Sequence, residues 1–253
     1  LGERLMVFSS EGVHFIYQLP LRMSVSSSEN VSSYLLSHRL QEYVKSVAKT
    51  LENPSIACVH LMTESAREQL LIYDLFHSAV HARIRTFNLN KRMTFADAVL
   101  YSSRFLKNRV VAISTSDTSA IGDSWSRLTP ANMQNQLFGL TRHERPGCSM
   151  TCDCNKHFDG CHDTFVFLAP LGGGDVLLEQ ISFRVGGLWG SENRFLWEVQ
   201  KVNPSIIVSN PCRTLKMEHS HCVAAGKFRP SQDQRRVNVE GKSLAPGPDV
   251  LRI

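Results

Sequence analysis

Apolar residues recur along this chain in two different periods, and the switches between them mark out its elements. Leu5-Met-Val-Phe8 and Val13-His-Phe-Ile-Tyr17 are short strand-like runs separated by Ser-Ser-Glu-Gly. From Ser33 the period lengthens. Leu36, Leu40, Tyr43, Val44, Val47 and Leu51 recur at three and four residues, which predicts an amphipathic helix ended by Asn53-Pro54. Ile56 to Met62 then reads as a buried strand, Ala66 to Phe76 as a helix, and Arg83 to Leu89 as a strand. Thr94-Phe-Ala-Asp97 resembles a capping box opening a helix to about Leu106, and Val110-Val-Ala-Ile113 is a further strand. Strand and helix alternate at crossover spacing, which predicts a βαβαβ unit with a mostly parallel sheet flanked by helices, of Rossmann type. The strands around Cys58, Ile84 and Val111 are expected to be parallel neighbours.

Beyond Ser114 the pattern loosens. Gln136 to Thr141 and Thr164 to Leu168 read as strands, Gly172-Gly-Gly174 and Gly186-Gly187 each as a turn or flexible link, Ser191 to Val202 as a helix and Ile206-Ile-Val208 as a last buried strand. The segment from Ala225 is poor in apolar residues and contains Pro-Gly-Pro, so residues 223–253 are expected to form an extended or disordered arm after a folded unit of residues 1–222. Leu1 is not a methionine, and the sequence is expected to be part of a longer chain.

The 253 residues carry a formal charge of +5, and six Lys/Arg against three Asp/Glu place +3 of it in the arm. The folded part has no basic stripe with interleaved aromatics, so nucleic acid is not expected as a partner. No run approaches 18 apolar residues, which leaves no candidate membrane span.

Seven cysteines change the picture more. Cys148, Cys152, Cys154 and Cys161 fall within fourteen residues, and their spacing contains no C-x-x-C, so a zinc knuckle fits poorly. A disulfide-stapled loop fits better, with Cys212 and Cys222 forming a further bridge and Cys58 left as a buried thiol. Free thiols and a metal site are the other readings. With the sequon Asn30-Val-Ser32, the cysteines point to the secretory pathway: the Golgi lumen, the cell surface or the exterior.

Ligands of open α/β sheets bind beyond the carboxyl ends of the strands, where Ser114-Thr-Ser-Asp117 follows a predicted strand. Asp117 there either holds a divalent ion or caps the turn. No nucleophile elbow of the G-x-S-x-G kind is present.

An ordered series of short motifs adds to this. Arg39-Leu-Gln-Glu42, Asn53-Pro-Ser-Ile56, His60-Leu-Met-Thr-Glu64, Lys91-Arg-Met-Thr-Phe95, the Val110-to-Asp117 strand and turn, Leu140-Thr-Arg142-His-Glu144, Asp163-Thr-Phe-Val-Phe167 and Asn210-Pro-Cys-Arg-Thr-Leu215 run from Arg39 to His221. The series resembles GT-A-type, nucleotide-sugar-dependent glycosyltransferase-like proteins. The resemblance implies a GT-A-like fold with the cysteine-rich stretch as an inserted loop. It further implies a sugar transferred from a nucleotide donor to a glycan or protein acceptor, with Mn²⁺ or Mg²⁺.

By the same resemblance Asp117 faces the metal or the diphosphate, and His219 and His221 match a terminal H-x-H that completes the metal shell. Arg142 and Glu144 line the donor or acceptor cleft, and Asp163 faces the acceptor, as a base in an inverting enzyme or as part of the pocket wall in a retaining one. Glu192, Asn193 and Arg194 stand where the group has an acidic N-R element. Bland readings stand beside these: Arg142 and Glu144 as a surface ion pair, Asp163 as a polar strand end, and Trp189 and Trp197 as core. The chain departs from the pattern at Thr115, where the group has Asn, and Asp123 is six residues from Asp117, too far for a tight second acid. These departures give the alternative expectation: a catalytically degenerate domain that serves as a binding or structural module, with its arm contacting protein partners.

Overall fold

The computed structural model describes residues 12–19, 31–145, 153–155, 161–186 and 190–220, with side chains from residue 40 onward in the first helix. Strands β1 (Val13–Gln18), β2 (Ile56–Thr63), β3 (Ile84–Asn88) and β4 (Val110–Ser114) lie parallel in the order β3-β2-β1-β4. Helices α1 (Val31–Glu52), α2 (Ala66–Leu71) and α3 (Phe95–Phe105) occupy the three connections. The strands near Cys58 and Ile84 are neighbours as expected, whereas β1 separates β2 from β4. The reason is burial: Val13 to Tyr17 are all fully buried, so β1 needs cover on both faces and takes the middle of the sheet.

Three more strands extend the sheet past β4. β8 (His162–Leu168) runs antiparallel between β4 and β6 (Gln136–Thr141), and β9 (Ile207–Ser209) pairs parallel with β6. Alternation along the strands feeds two cores. Phe15, Tyr17, Val59 and Leu61 pack with Val47 and Leu51 of α1, while Ile16, Val111, Ile113, Phe165 and Phe167 face the opposite side. There they meet Phe95 and Val99 of α3, Leu177 of α4 (Gly174–Gln180), and Phe195 and Val199 of α5 (Ser191–Val202). The sheet is mixed, mostly parallel, and flanked by helices on both faces.

Several elements differ from the sequence pattern. The helix predicted through Phe76 tightens at Ile72–Leu75 into a 3₁₀ turn, in which Tyr73 and Asp74 are exposed. The glycines at 172–174 do turn the chain, all with positive φ, but they open α4 rather than a flexible link. Trp197 is 37% exposed because α5 buries the stripe through Phe195, Leu196 and Val199, whereas Trp125 is the tryptophan of the core. Trp189, the Leu5–Phe8 run and the arm of 223–253 lie outside the described residues.

The capping box is present. Thr94 Oγ1 accepts from the Asp97 amide at 3.1 Å, and Asp97 accepts from the Thr94 amide at 2.9 Å. Thr94→Ala removes the side-chain cap at the start of α3 and should lower unfolding free energy by about 1 kcal/mol in urea titration.

A second, smaller sheet is built from β5 (Thr118–Ile121), β7 (His143–Glu144) and β10 (Lys216–His219), in the order β5-β10-β7. Its strands are short and mostly polar, and two of them carry Glu144 and His219.

Candidate functional site

Strand order reverses between β1 and β4, since β2 and β3 lie to one side of β1 and β4 to the other. The crevice beyond the carboxyl ends at such a reversal is the usual ligand position in open α/β sheets. Asp117 follows the carboxyl end of β4 there. The turn around it is fastened by polar side chains. Ser114 Oγ lies 2.7 Å from Thr118 Oγ1 and 2.6 Å from Thr164 Oγ1, Thr118 Oγ1 donates to the Thr115 carbonyl at 2.8 Å, and the Ser116 hydroxyl donates to the Gln18 carbonyl.

β10 then brings in a histidine from 102 residues away. His219 pairs in register with Thr118 on one side and with Glu144 on the other, which sets its imidazole between two carboxylates. Nε2 lies 3.3 Å from Asp117 Oδ2 and Nδ1 3.0 Å from Glu144 Oε2. A carboxylate only accepts, so both ring nitrogens carry hydrogen and the imidazole is cationic. Burial opposes that charge, but the hydrogen bonds to Asp117 and Glu144 outweigh it and raise the pKa to about 9.

The chain of charges continues. Arg142 Nε donates to Glu144 Oε1 at 2.7 Å and Nη1 to Asp163 Oδ2 at 2.8 Å. Burial works against the guanidinium, yet Asp163 and Glu144 raise its pKa further above the ordinary value. The Arg142 side chain is 11% exposed and that of Glu144 7%, so this is a buried network and not a surface ion pair. Asp163 precedes Thr164, which pairs with Ser114 across β4 and β8, so the register itself sets this carboxylate near the Asp117 turn.

Glu192 approaches from the first turn of α5. Burial pushes its carboxyl up to about 7, Asp163 adds to the shift and Arg142 opposes it. α5 lies close on β6 because residue 139 is glycine; a Cβ there would meet Leu196 Cδ1 at 2.9 Å. Arg194, by contrast, pairs with Glu198 along α5, and Asn193 has a buried side-chain oxygen with no hydrogen-bond partner among the described residues. His221 lies outside the described residues.

Of the sequence-derived candidates, the structure therefore brings Asp117, His219, Glu144, Arg142 and Asp163 into one connected chain, with Glu192 coupled to its end. Sequence reasoning missed a second polar group at the same edge. Gln18 Nε2 donates to Glu64 Oε1 at 3.2 Å, Arg92 Nε lies 3.2 Å from the same oxygen, and Gln18 Oε1 accepts from the Met93 amide. Glu64 and Arg92 lie in two of the quoted motifs, whereas only the position of Gln18 at the end of a strand neighbouring the one before Glu64 could have signalled the third member.

The disulfide framework also differs from expectation. Cys212 bonds to Cys154, 58 residues earlier, and not to Cys222. Asn210 explains why: its side chain accepts from the Thr141 amide at 3.2 Å and donates to Thr141 Oγ1 at 3.0 Å. The Asn-Pro-Cys turn is thereby held against the end of β6, beside the loop that carries Cys154, whose amide donates to the Arg142 carbonyl at 2.9 Å. Cys161 is disulfide-bonded, Cys58 is a free buried thiol, and Cys148, Cys152 and Cys222 lie outside the described residues.

His162 gives the site a pH dependence of stability. It is fully buried, and burial lowers its pKa to about 4 against the pull of Asp163. The unfolded chain takes up this proton near pH 6.5, so the contribution is complete above about 6.5 and declines as pH falls toward 4. Urea midpoints measured from pH 8 to pH 4 should fall across that window, and less steeply in His162→Gln. Equal slopes for the two proteins would contradict this.

No family model and no curated protein matches the sequence. Solved structures with a similar fold include a protein assigned as a nucleotide-diphospho-sugar transferase from Desulfovibrio desulfuricans G20, at 11% identity over 80% of each chain and a TM-score of 0.45. GalNAc-T7, solved with UDP, GalNAc and Mn²⁺, is 10% identical over 87% of this chain and 45% of that one, with a TM-score of 0.48. The present chain thus spans less than half of that protein. HddC from Yersinia pseudotuberculosis is 12% identical over 64% and 78%, with a TM-score of 0.36. These are likenesses of fold at low identity.

Proposed function

We propose that this chain is a GT-A-type glycosyltransferase-like domain that transfers a sugar from a nucleotide donor to a glycan or protein acceptor. One observation carries the reading. Asp117, Glu144, Arg142, Asp163 and His219, which the family resemblance names from four separate motifs, meet in a single hydrogen-bonded chain at the strand-order reversal. Independent surface residues have no reason to converge this way.

The donor set suits a divalent ion such as Mn²⁺ or Mg²⁺. Asp117 Oδ2 and His219 Nε2 are 3.3 Å apart, a spacing that neighbouring ligand atoms of one ion could share once the ion takes the place of the Nε2 proton, which would leave to solvent. Glu144 stands behind the other ring nitrogen, where a carboxylate orients a ligating histidine. Such an ion would neutralise the diphosphate as the sugar departs. Arg142 holds the Asp163 carboxylate in place, and Asp163 takes the proton from the acceptor hydroxyl if the reaction inverts. Glu192 extends the acidic wall beside it. The Cys154–Cys212 bond supports residence in an oxidising compartment of the secretory pathway.

A second reading, the degenerate binding module, is favoured by one specific feature. Asp123 is exposed beyond the far end of β5, so Asp117 has no tight acidic partner in sequence. Calorimetry with a panel of UDP- and GDP-sugars in Mn²⁺ separates the two. The transferase reading expects Mn²⁺-dependent heat with at least one donor, and silence across the panel overturns it.

A further inference from the structure

A different group of potential ligands is buried inside the sheet, away from the carboxyl edge. His14 lies opposite Cys58 in the pairing of β1 with β2, and His60 follows Cys58 by two residues, so all three side chains leave the same face. His14 pairs with Val111 near the start of β4, whereas Asp117 lies past the end of that strand. His14 and His60 are fully buried and Cys58 is 4% exposed.

The geometry is close. His14 Nδ1 is 3.1 Å from His60 Nε2, and one ligand atom from each of the three residues lies within 4.8 Å of the other two. Among the described residues this is the one group of three or more His, Cys, Asp or Glu side chains that meets that condition. The second nitrogen of His60 lies 2.9 Å from the Tyr101 hydroxyl of α3, with the two rings edge to face.

We propose that His14, Cys58 and His60 bind one thiophilic transition ion of the Zn²⁺ class, with Tyr101 as the outer partner that orients His60. Zinc–nitrogen bonds of about 2.0–2.1 Å at tetrahedral angles place two imidazole nitrogens about 3.3 Å apart, near the separation seen here. The ion takes the place of the hydrogen now lying between the two rings, and that hydrogen moves to another nitrogen of the pair. At Cys58 the S–H bond breaks and a sulfur–metal bond forms, releasing one proton to solvent per ion.

The surroundings define what the site accepts. Burial holds both imidazoles in the neutral, ligand-competent form and pushes the Cys58 thiol up to about 11, so a thiolate forms there only against a cation. Arg109 acts on His14, and Arg85 on both His60 and Cys58. These guanidiniums repel a bare dication. The thiolate charge is what makes an ion tolerable, so carboxylate-seeking ions such as Mg²⁺ are excluded and the sulfur is indispensable. Because the group is buried, the ion enters as the chain folds.

The test uses the full chain, unfolded with its disulfides intact and refolded with Co²⁺, then with Zn²⁺. Wild-type protein should retain one ion and show a thiolate-to-cobalt charge-transfer band that Zn²⁺ abolishes. Cys58→Ser should lose the band and weaken retention by roughly a hundredfold or more, and Tyr101→Phe should weaken it by roughly tenfold. The Asp117–His219 pair has no sulfur and cannot give this band. A band that survives in Cys58→Ser, or wild-type protein that refolds to the same Tm without retaining an ion, overturns the proposal. Should the Cys58 variant not fold, the zinc K-edge spectrum of loaded wild type decides: one sulfur and two imidazoles in the shell support the site, and a shell without sulfur overturns it.

Discussion

Replacing Arg142 with methionine is expected to destabilise the protein by about 3–5 kcal/mol, the usual cost of removing one partner from a buried ion pair. The guanidinium is bonded to Glu144 at 2.7 Å and to Asp163 at 2.8 Å, and all three side chains are nearly buried. Methionine keeps much of the arginine's apolar stem but leaves two carboxylates facing each other, with His219 as the remaining cation of the chain. The penalty is therefore the desolvation of uncompensated charge rather than the loss of two hydrogen bonds. Urea unfolding measures it directly. A second substitution, Asp163→Asn, should recover part of the loss in the Arg142→Met background, since it removes one of the stranded charges. A loss below about 1 kcal/mol for Arg142→Met is what an exposed pair shows, and that result would contradict the buried network.

The other large effect is on turnover. Asp117→Asn keeps the size of the side chain and removes the charge that the metal and His219 both require. In an active transferase the rate with its best donor should fall by roughly a thousandfold or more, equivalent to about 4 kcal/mol of transition-state stabilisation. Unfolding free energy should change by no more than about 1–2 kcal/mol, because asparagine can still accept from His219 and Glu144 still holds the ring. The split between the two readouts is the informative part. If the chain is a degenerate module, wild type and variant are equally inert toward donors and differ in stability alone.

The main sheet was legible in the sequence because most of its strands, β1, β2, β4, β6 and β8, are continuous apolar runs and buried, and periodicity reports burial. Ile56 to Met62 and Val110 to Ile113 leave little choice of element. The position of β1 was less legible, since strand order depends on which apolar faces need cover and not on any local signal. The small sheet was invisible. Thr118–Ile121, His143–Glu144 and Lys216–His219 are short and mostly polar, and they pair across long stretches of chain. Yet this sheet is what turns four scattered motifs into one site. The family resemblance named Arg142, Glu144, Asp163 and His219 without saying that they touch. Sequence could not distinguish a solvated ion pair from a buried one, because both use the same residues. The cysteines failed for a related reason: spacing suggested Cys212 with Cys222, whereas the Asn210 turn holds Cys212 beside Cys154.

The Cys154–Cys212 bond has a practical consequence for anyone preparing the protein. It joins the loop after β7 to the turn that leads into β10, and β10 carries His219. Chain made in a reducing cytosol lacks this clamp, and cross-links closing loops of this length typically contribute about 2–4 kcal/mol. The strand that delivers His219 would then be held only non-covalently: by its pairing with β5 and β7, by the burial of Leu215 and Met217 in the core, and by the contacts of His219 with Asp117 and Glu144. An assay on such material reports on a site that lacks its covalent tie, however well the main sheet has folded. Oxidative expression, followed by a thiol titration before any donor is added, is therefore the condition under which a silent assay can be read as inactivity.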